Sequence, residues 1–402
     1  MLSFLRKRRG STDSDTSDVL DQPRAKSRKP PNTAFRQQRL KSWQPILSPR
    51  SVLPLLLITA VIFTPLGIAL IFTTYNVQQL VVEYGSCSTN ANTSSFSEIP
   101  SEYVTKHFKG NIPDGYEKPS WKLVQNDTDD SLVCQIKFQV PHDIKGPVYL
   151  YYRLTNFFQN HREYVESYDL QQLKGEAVSA DDLDDDCSPL KTNADGKPYY
   201  PCGLIANSYF NDTFSSPYDA SDNSVVFNMT DKKISWSTDR SRFKKTKYSP
   251  NDVVPPPGWA KMYPDGYTEN NMPDLSEWEA LQVWMRTAGL PSFMKLALRN
   301  DTGTLTEGQY IIDVGLNYPV SLFGGTKSIV LTTSTVIGGR NMSLGVAYLV
   351  VAGLAILFGI IFLVKYVLQP RKLGDHSYLN FDRTEDQALP ARTTTTTRRE
   401  IL

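Results

Sequence analysis

The sequence predicts a membrane protein with two transmembrane α-helices and, between them, a large, mainly antiparallel-β, disulfide-bonded, N-glycosylated ectodomain. Three observations predict it. Two long stretches carry no charge, all four cysteines fall between them, and so do all six Asn-x-Ser/Thr sequons.

The first uncharged stretch runs from Ser51 to Val82, and Val52–Phe72 within it is almost wholly apolar. The second runs from Asn341 to Val364 and is apolar throughout Val346–Val364. About 20 helical residues rise roughly 30 Å, the thickness of a hydrocarbon core, so each stretch is long enough to span. A buried helix of a soluble domain rarely runs this long without a polar face. The first stretch starts too far into the chain, and is too long, for a cleaved signal. Pro54 and Pro65 are tolerable in a membrane helix, with a kink expected at Pro65. The expected division is a tail over 1–50, a span over 51–74, an ectodomain over 75–344, a span over 345–368 and a tail over 369–402.

Charge orients these parts. The chain of 402 residues carries a net charge of +1, so it lacks the basic surface a nucleic-acid partner demands. Residues 1–50 hold twelve Lys/Arg against four Asp, whereas 75–344 hold 24 Lys/Arg against 33 Asp/Glu. Arg36, Arg39, Lys41 and Arg50 precede the first span, and Lys365, Arg371 and Lys372 follow the second, against Arg340 alone close to the inner flanks. The positive-inside rule therefore predicts two cytosolic termini and a lumenal or extracellular middle.

The middle region has the chemistry of that side. Cys87, Cys134, Cys187 and Cys202 are an even set on an oxidising side and read as two disulfides, with three connectivities open. A bond between Cys187 and Cys202 would close a short loop and contribute about 3 kcal/mol. The sequons are Asn92, Asn126, Asn211, Asn228, Asn300 and Asn341, of which Asn341 stands too close to the second span to be readily used. Val133–Val140 alternates Cys134, Ile136, Phe138 and Val140 with polar residues, the pattern of a half-buried antiparallel strand. Pro147–Leu154, Ser224–Asn228, Tyr310–Asn317 and Ser328–Thr335 are further β-rich runs, and Glu277–Thr287 has the spacing of a short helix.

No catalytic constellation, metal site or cofactor motif stands out. His107, His142, His161 and His376 are in no metal spacing, and the acidic run Asp181–Asp186 lacks the Gly and closing Glu of a calcium loop. Tyr151–Tyr168 is dense in aromatics, Asn and Arg, which suits a core with tied-down backbone or a partner contact, and it nominates Asn156, His161 and Arg162. Residues 1–30 and the Thr-rich end have the composition of solvated tails. Within Lys29–Pro45, Asn32, Phe35 and Trp43 are candidates for a partner or the membrane surface.

Five segments resemble the cell division control protein fifty family, also called ligand-effect modulator three: 32–40, Gly146–Tyr164, Pro201–Phe214, Val283–Leu296 and Phe323–Tyr348. They lie in family order across nearly the whole chain; the Thr335-Val336 pair departs from relatives that carry a Trp there. The resemblance implies a non-catalytic β-subunit of a type IV P-type ATPase that flips aminophospholipids, in a heterodimer with the catalytic α-subunit. It implies an ectodomain that covers the ATPase's exoplasmic loops and a role in leaving the endoplasmic reticulum; endoplasmic reticulum, Golgi, endosome and plasma membrane are the compartments left open. It also implies the pairs Cys87–Cys134 and Cys187–Cys202, and a used glycan at Asn211. Ala355 and Gly359 form a small-xxx-small pair suited to close helix packing. The competing readings are a stand-alone adhesion or glycan-binding receptor and a membrane-anchored hydrolase.

Overall fold

Strand formation follows the period-two pattern of the sequence. The computed structural model describes residues 31–42, 48–125, 131–335 and 338–369. Two membrane-length helices, Pro49–Tyr75 and Ser343–Leu368, flank a β-rich region. Its strands are β1 Gln79–Glu83, β2 Ser97–Glu98, β3 Val104–His107, β4 Ser120–Gln125, β5 Leu132–Val140, β6 Ile144–Lys145 and β7 Val148–Leu154. They continue with β8 Thr213–Phe214, β9 Tyr218–Asp219, β10 Phe293–Asn300, β11 Thr304–Leu305, β12 Gly308–Gly315 and β13 Lys327–Thr333.

The strands form a five-stranded sheet, β10-β7-β13-β1-β3, and a six-stranded sheet, β2-β4-β5-β12-β8 with β9 also on β12; β6 pairs with β11. All of these pairings are antiparallel. Leu80, Val82, Leu150, Ile329 and Leu331 of the first sheet share one core with Trp121, Ile136, Phe138, Tyr310 and Ile312 of the second. Cys87 and Cys134 are bonded inside that core, with Cα atoms 6.2 Å apart. The alternation read in Val133–Val140 is the burial alternation of β5.

Long connections after β7 build a second, aromatic core around Tyr200, Trp259, Tyr267, Leu275 and Leu281. Cys187 and Cys202 are bonded next to Val178 and Leu183, with Cα atoms 5.6 Å apart. The expected short helix is present as Glu279–Met285 and buries Leu281 and Trp284. Ser224–Asn228 is not a strand. Asp222 accepts hydrogen bonds from the Ser224 backbone N–H and hydroxyl, forming a local turn, and only Val226 makes an isolated bridge to Tyr218.

The chain divides into one unit of Leu56–Ile361 and another holding the residues up to Leu55 and from Phe362. In the latter, residues 34–38 form a turn in which Phe35 is exposed, and Asn32 accepts a hydrogen bond from Arg39. Within the larger unit the two long helices approach each other closely. A Cβ on Gly345 would lie 2.6 Å from Ile71 Cγ1 and 3.2 Å from the Gly67 carbonyl oxygen. One on Gly67 would meet Leu349 at 2.7 Å. Ala60, Gly67 and Thr74, spaced by sevens on the first helix, and Gly345, Ala352 and Ala355 on the second are the buried positions. The tight crossing is thus at Gly345 rather than Gly359, whose added Cβ would meet Leu56 at an ordinary 4.0 Å.

Candidate functional site

The five-stranded sheet has two faces of different character. One carries Leu80, Val82, Leu150, Tyr152, Leu154, Ile329 and Leu331 into the cores. The other carries the residues between them. Register places Val330 between Tyr151 and Val81, Ser328 between Arg153 and Glu83, and Thr332 between Tyr149 and Gln79. Met294 and Arg299 of β10 extend this face on one side, and Thr105 and His107 of β3 on the other. Period-two geometry makes the separation unavoidable.

None of Tyr149, Tyr151, Arg153, Val81 or Val330 belongs to a core cluster of the described residues. Val81 and Val330 are nevertheless buried, flanked by the half-buried Tyr149, Tyr151 and Arg153. The tyrosine hydroxyls of Tyr149 and Tyr151 hydrogen-bond to no other described residue. Arg153 Nη2 donates to Ser328 Oγ at 3.3 Å, while its Nε is buried without an acceptor. Burial raises the Glu83 carboxyl above the usual carboxylate range; Arg153 opposes this and Glu102 adds to it. Burial and the neighbouring Tyr149 also raise Tyr151, against Arg299, whose guanidinium lies 5.6 Å from the Tyr149 ring. The face therefore offers aromatic surface, unused hydroxyls and an incompletely satisfied guanidinium, which is the composition of a protein contact.

The same sheet is tied to both long helices. β1 follows the first helix after a short link, and β13 precedes the second. His107 Nε2 lies 2.9 Å from the Tyr75 carbonyl oxygen at the end of the first helix, and the two rings meet edge to face at 5.0 Å. The Thr333 N–H donates to the Gln78 carbonyl, and Thr333 Oγ1 accepts from the Gln78 N–H.

The candidates named from sequence are placed elsewhere. Asn156 donates to the Phe323 carbonyl at 2.5 Å and has a positive φ, so it holds a loop in place. His161 and Arg162 are exposed at the start of the helix Arg162–Glu166, and Arg162 pairs loosely with Glu166 at 3.6 Å. The aromatics of this segment do fill a core: Phe157 contacts Tyr164, Trp284, Phe293 and Phe323. Trp43 and Asn126 lie outside the described residues. The sheet face was missed because its pairing joins residues far apart in sequence; the two tyrosines within Pro147–Leu154, on the polar beat of an apolar strand, were the available signal.

Among the sequons, Asn92, Asn228 and Asn341 are exposed and Asn211 and Asn300 are half-buried. Asn300 Nδ2 donates to the Asn228 carbonyl at 2.6 Å, and its Oδ1 accepts from the N–H groups of Thr302 and Gly303. No three His, Cys, Asp or Glu among the described residues are grouped to hold a metal.

Comparison with known proteins adds a family. The profile of the LEM3 (ligand-effect modulator 3) family / CDC50 family matches residues 70–372. A Saccharomyces cerevisiae protein named phospholipid-transporting ATPase accessory subunit CRF1 is 52% identical over 360 residues, covering 90% of this chain and 91% of its own. A Chaetomium thermophilum protein named phospholipid-transporting ATPase accessory subunit CDC50 is 39% identical over 396 residues, covering 94% and 97%. Cell cycle control protein 50A of Mus musculus is 34% identical over 379 residues, covering 90% and 93%. None of these names describes an adhesion receptor or a hydrolase.

Proposed function

Because this chain belongs to the LEM3/CDC50 family, we propose that it is the non-catalytic accessory subunit of a phospholipid-transporting P-type ATPase and that the open sheet face is where it meets that partner. The observation that carries the role is the agreement of relatives named as accessory subunits across nine-tenths of the chain. The docking face is supported by its half-buried tyrosines, whose hydroxyls bond to no other described residue, on the sheet whose strands β1 and β13 connect to the helices.

The finer reading follows the charge. Tails 1–50 and 369–402 lie in the cytosol, 51–74 and 345–368 cross the bilayer, and 75–344 stands on the lumenal or extracellular side with glycans on its sequons other than Asn300 and Asn341. The subunit supports its ATPase's exit from the endoplasmic reticulum and the flipping of aminophospholipids toward the cytosolic leaflet. It works in Golgi, endosome or plasma membrane.

Purification in mild detergent tests this. A large, multi-span P-type ATPase should co-purify with the wild-type chain. Tyr149→Ala with Tyr151→Glu should lower the recovered ATPase at least about fivefold, by losing two aromatic anchors, while the chain keeps its resistance to trypsin. Recovery without any such ATPase would refute the role. Undiminished recovery by the double variant would refute the face.

A further inference from the structure

The ectodomain is acidic overall, yet its charge is not evenly spread. Residues 232–247 hold seven Lys/Arg and one Asp. Lys232, Arg240 and Lys247 face Glu277, Glu279 and Glu176. Arg242, Lys244 and Lys245 are exposed and form no ion pair among the described residues.

Beside these cations stands an ordered ridge. The Arg286 guanidinium lies 4.7 Å from the centroid of the Trp236 ring, and its Nη1 is 2.8 Å from Asp239 Oδ2. Asp239, Arg286 and Thr287 form a wall shared by two cavities of about 450 and 330 Å³. The larger is lined by Val165, Leu170, Phe243 and Met285 together with Arg242. The smaller is lined by Trp236 and Met294. Trp236 is 66% exposed, Met294 51% and Leu170 44%, so large apolar side chains stay in water within a cationic surround.

We infer that this double groove binds an acidic peptide segment carrying large apolar side chains, contributed by the exoplasmic part of a partner protein. The three unpaired cations supply attraction and steer the encounter. The cavities take the apolar anchors, and exposed Trp and Arg are the residues that dominate such contacts. Asp239 and Trp236 hold Arg286 in place, so it loses little freedom when a carboxylate binds it. An anionic lipid surface would satisfy the cations but leave the cavities unfilled. The smaller cavity shares Tyr151 and Met294 with the open sheet face, whereas the larger cavity and the three cations include none of its residues, so the charge-reversal variant tests this groove apart from that face.

The test uses the full chain in detergent micelles and a short fluorescein-labelled peptide alternating Glu with Leu and Phe, followed by anisotropy. A Lys-for-Glu peptide is the control. The acidic peptide should bind saturably and the basic one should not. Arg242→Glu with Lys244→Glu and Lys245→Glu should weaken binding about tenfold or more, since each is an exposed charge in the segment that gives the larger cavity Arg242 and Phe243. Leu170→Ser should weaken binding while leaving its salt dependence unchanged. The inference is overturned if both peptides bind alike, if the acidic peptide fails to bind, or if charge reversal leaves its affinity intact. It is equally overturned if phosphatidylserine vesicles bind through the same three cations and the peptide does not compete.

Discussion

Lys327 Nζ lies 2.8 Å from Asp212 Oδ2, and both side chains are buried. Asp212 is the middle residue of the Asn211 sequon. Its Oδ1 also accepts from the N–H groups of Asn317 and Tyr318, and its Oδ2 from the Tyr84 hydroxyl at 2.9 Å. Lys327 donates further to the Tyr318 carbonyl. One carboxylate thus joins the end of β1, the start of β13 and the loop after β12. Replacing Asp212 by Leu strands a buried ammonium and should cost about 3–5 kcal/mol, more than a matched apolar pair at both positions. Thermal unfolding of Asp212→Leu, Lys327→Met and the double variant measures this; additive losses would contradict the pairing.

Lys295 is a buried cation of a different kind. Its Nζ donates to the carbonyls of Val283, Trp284 and Arg286, at the end of a helix, with no carboxylate partner among the described residues. Burial, with Arg286 nearby, pushes its pKa down to about 7. The unfolded chain holds this proton up to about 10.5 and the folded chain releases it near 7. Its contribution is therefore full above the higher value and is lost as the pH falls toward the lower one. The unfolding midpoint should rise from pH 7 to 9.5, and Lys295→Met should flatten that rise. Parallel slopes in the two proteins would show that other groups govern it.

The helix crossing makes a positional prediction. Gly345→Leu should force the two long helices apart, because Gly67 and Ile71 occupy the space a side chain needs. Gly353→Leu should do little, since an added Cβ there meets nothing within 4 Å. Cysteines at Phe63 and Tyr348, whose rings are 5.0 Å apart, report the spacing by oxidative cross-linking in membranes. Equal cross-linking yields in the two glycine variants would rule the crossing out.

Glycan occupancy should divide along the hydrogen bonds. Asn228→Gln and Asn211→Gln should each remove one glycan on a gel. Asn300→Gln should leave the glycan number unchanged, because the Asn300 amide is committed to the backbone of Asn228 and Gly303. That same variant should destabilise the fold by about 1–2 kcal/mol through the lost hydrogen bonds. A mobility shift in Asn300→Gln would reverse this assignment.

How much was legible depended on range. The two spans and β5 repeat within a short window, so hydropathy and alternation reveal them directly. Val330 reads as one apolar residue in an apolar run; that it lies between Tyr151 and Val81 on an open face depends on partners from two distant strands. Ser224–Asn228 shows the opposite failure. Its apolar pair Val225-Val226 fits a strand, but an aspartate upstream caps the turn and leaves Val225 exposed. Asn156 was singled out for its chemistry, whereas its positive φ assigns it to holding a loop.

The pairing of β1 with β13 also sets an order of events during synthesis. Gln78 and Thr333, which exchange hydrogen bonds at the foot of the sheet, are 255 residues apart in the chain. β1 is translated first but must wait beside β3 for its other neighbour, which is the last strand to be translated. β7 waits for the same strand. A chain truncated before Lys327 therefore leaves β1 and β7 each with a bare edge where β13 belongs, open to wrong partners. The strand that closes the sheet is translated just ahead of the second membrane-length helix, so completion of the domain and the making of that helix become a single late step.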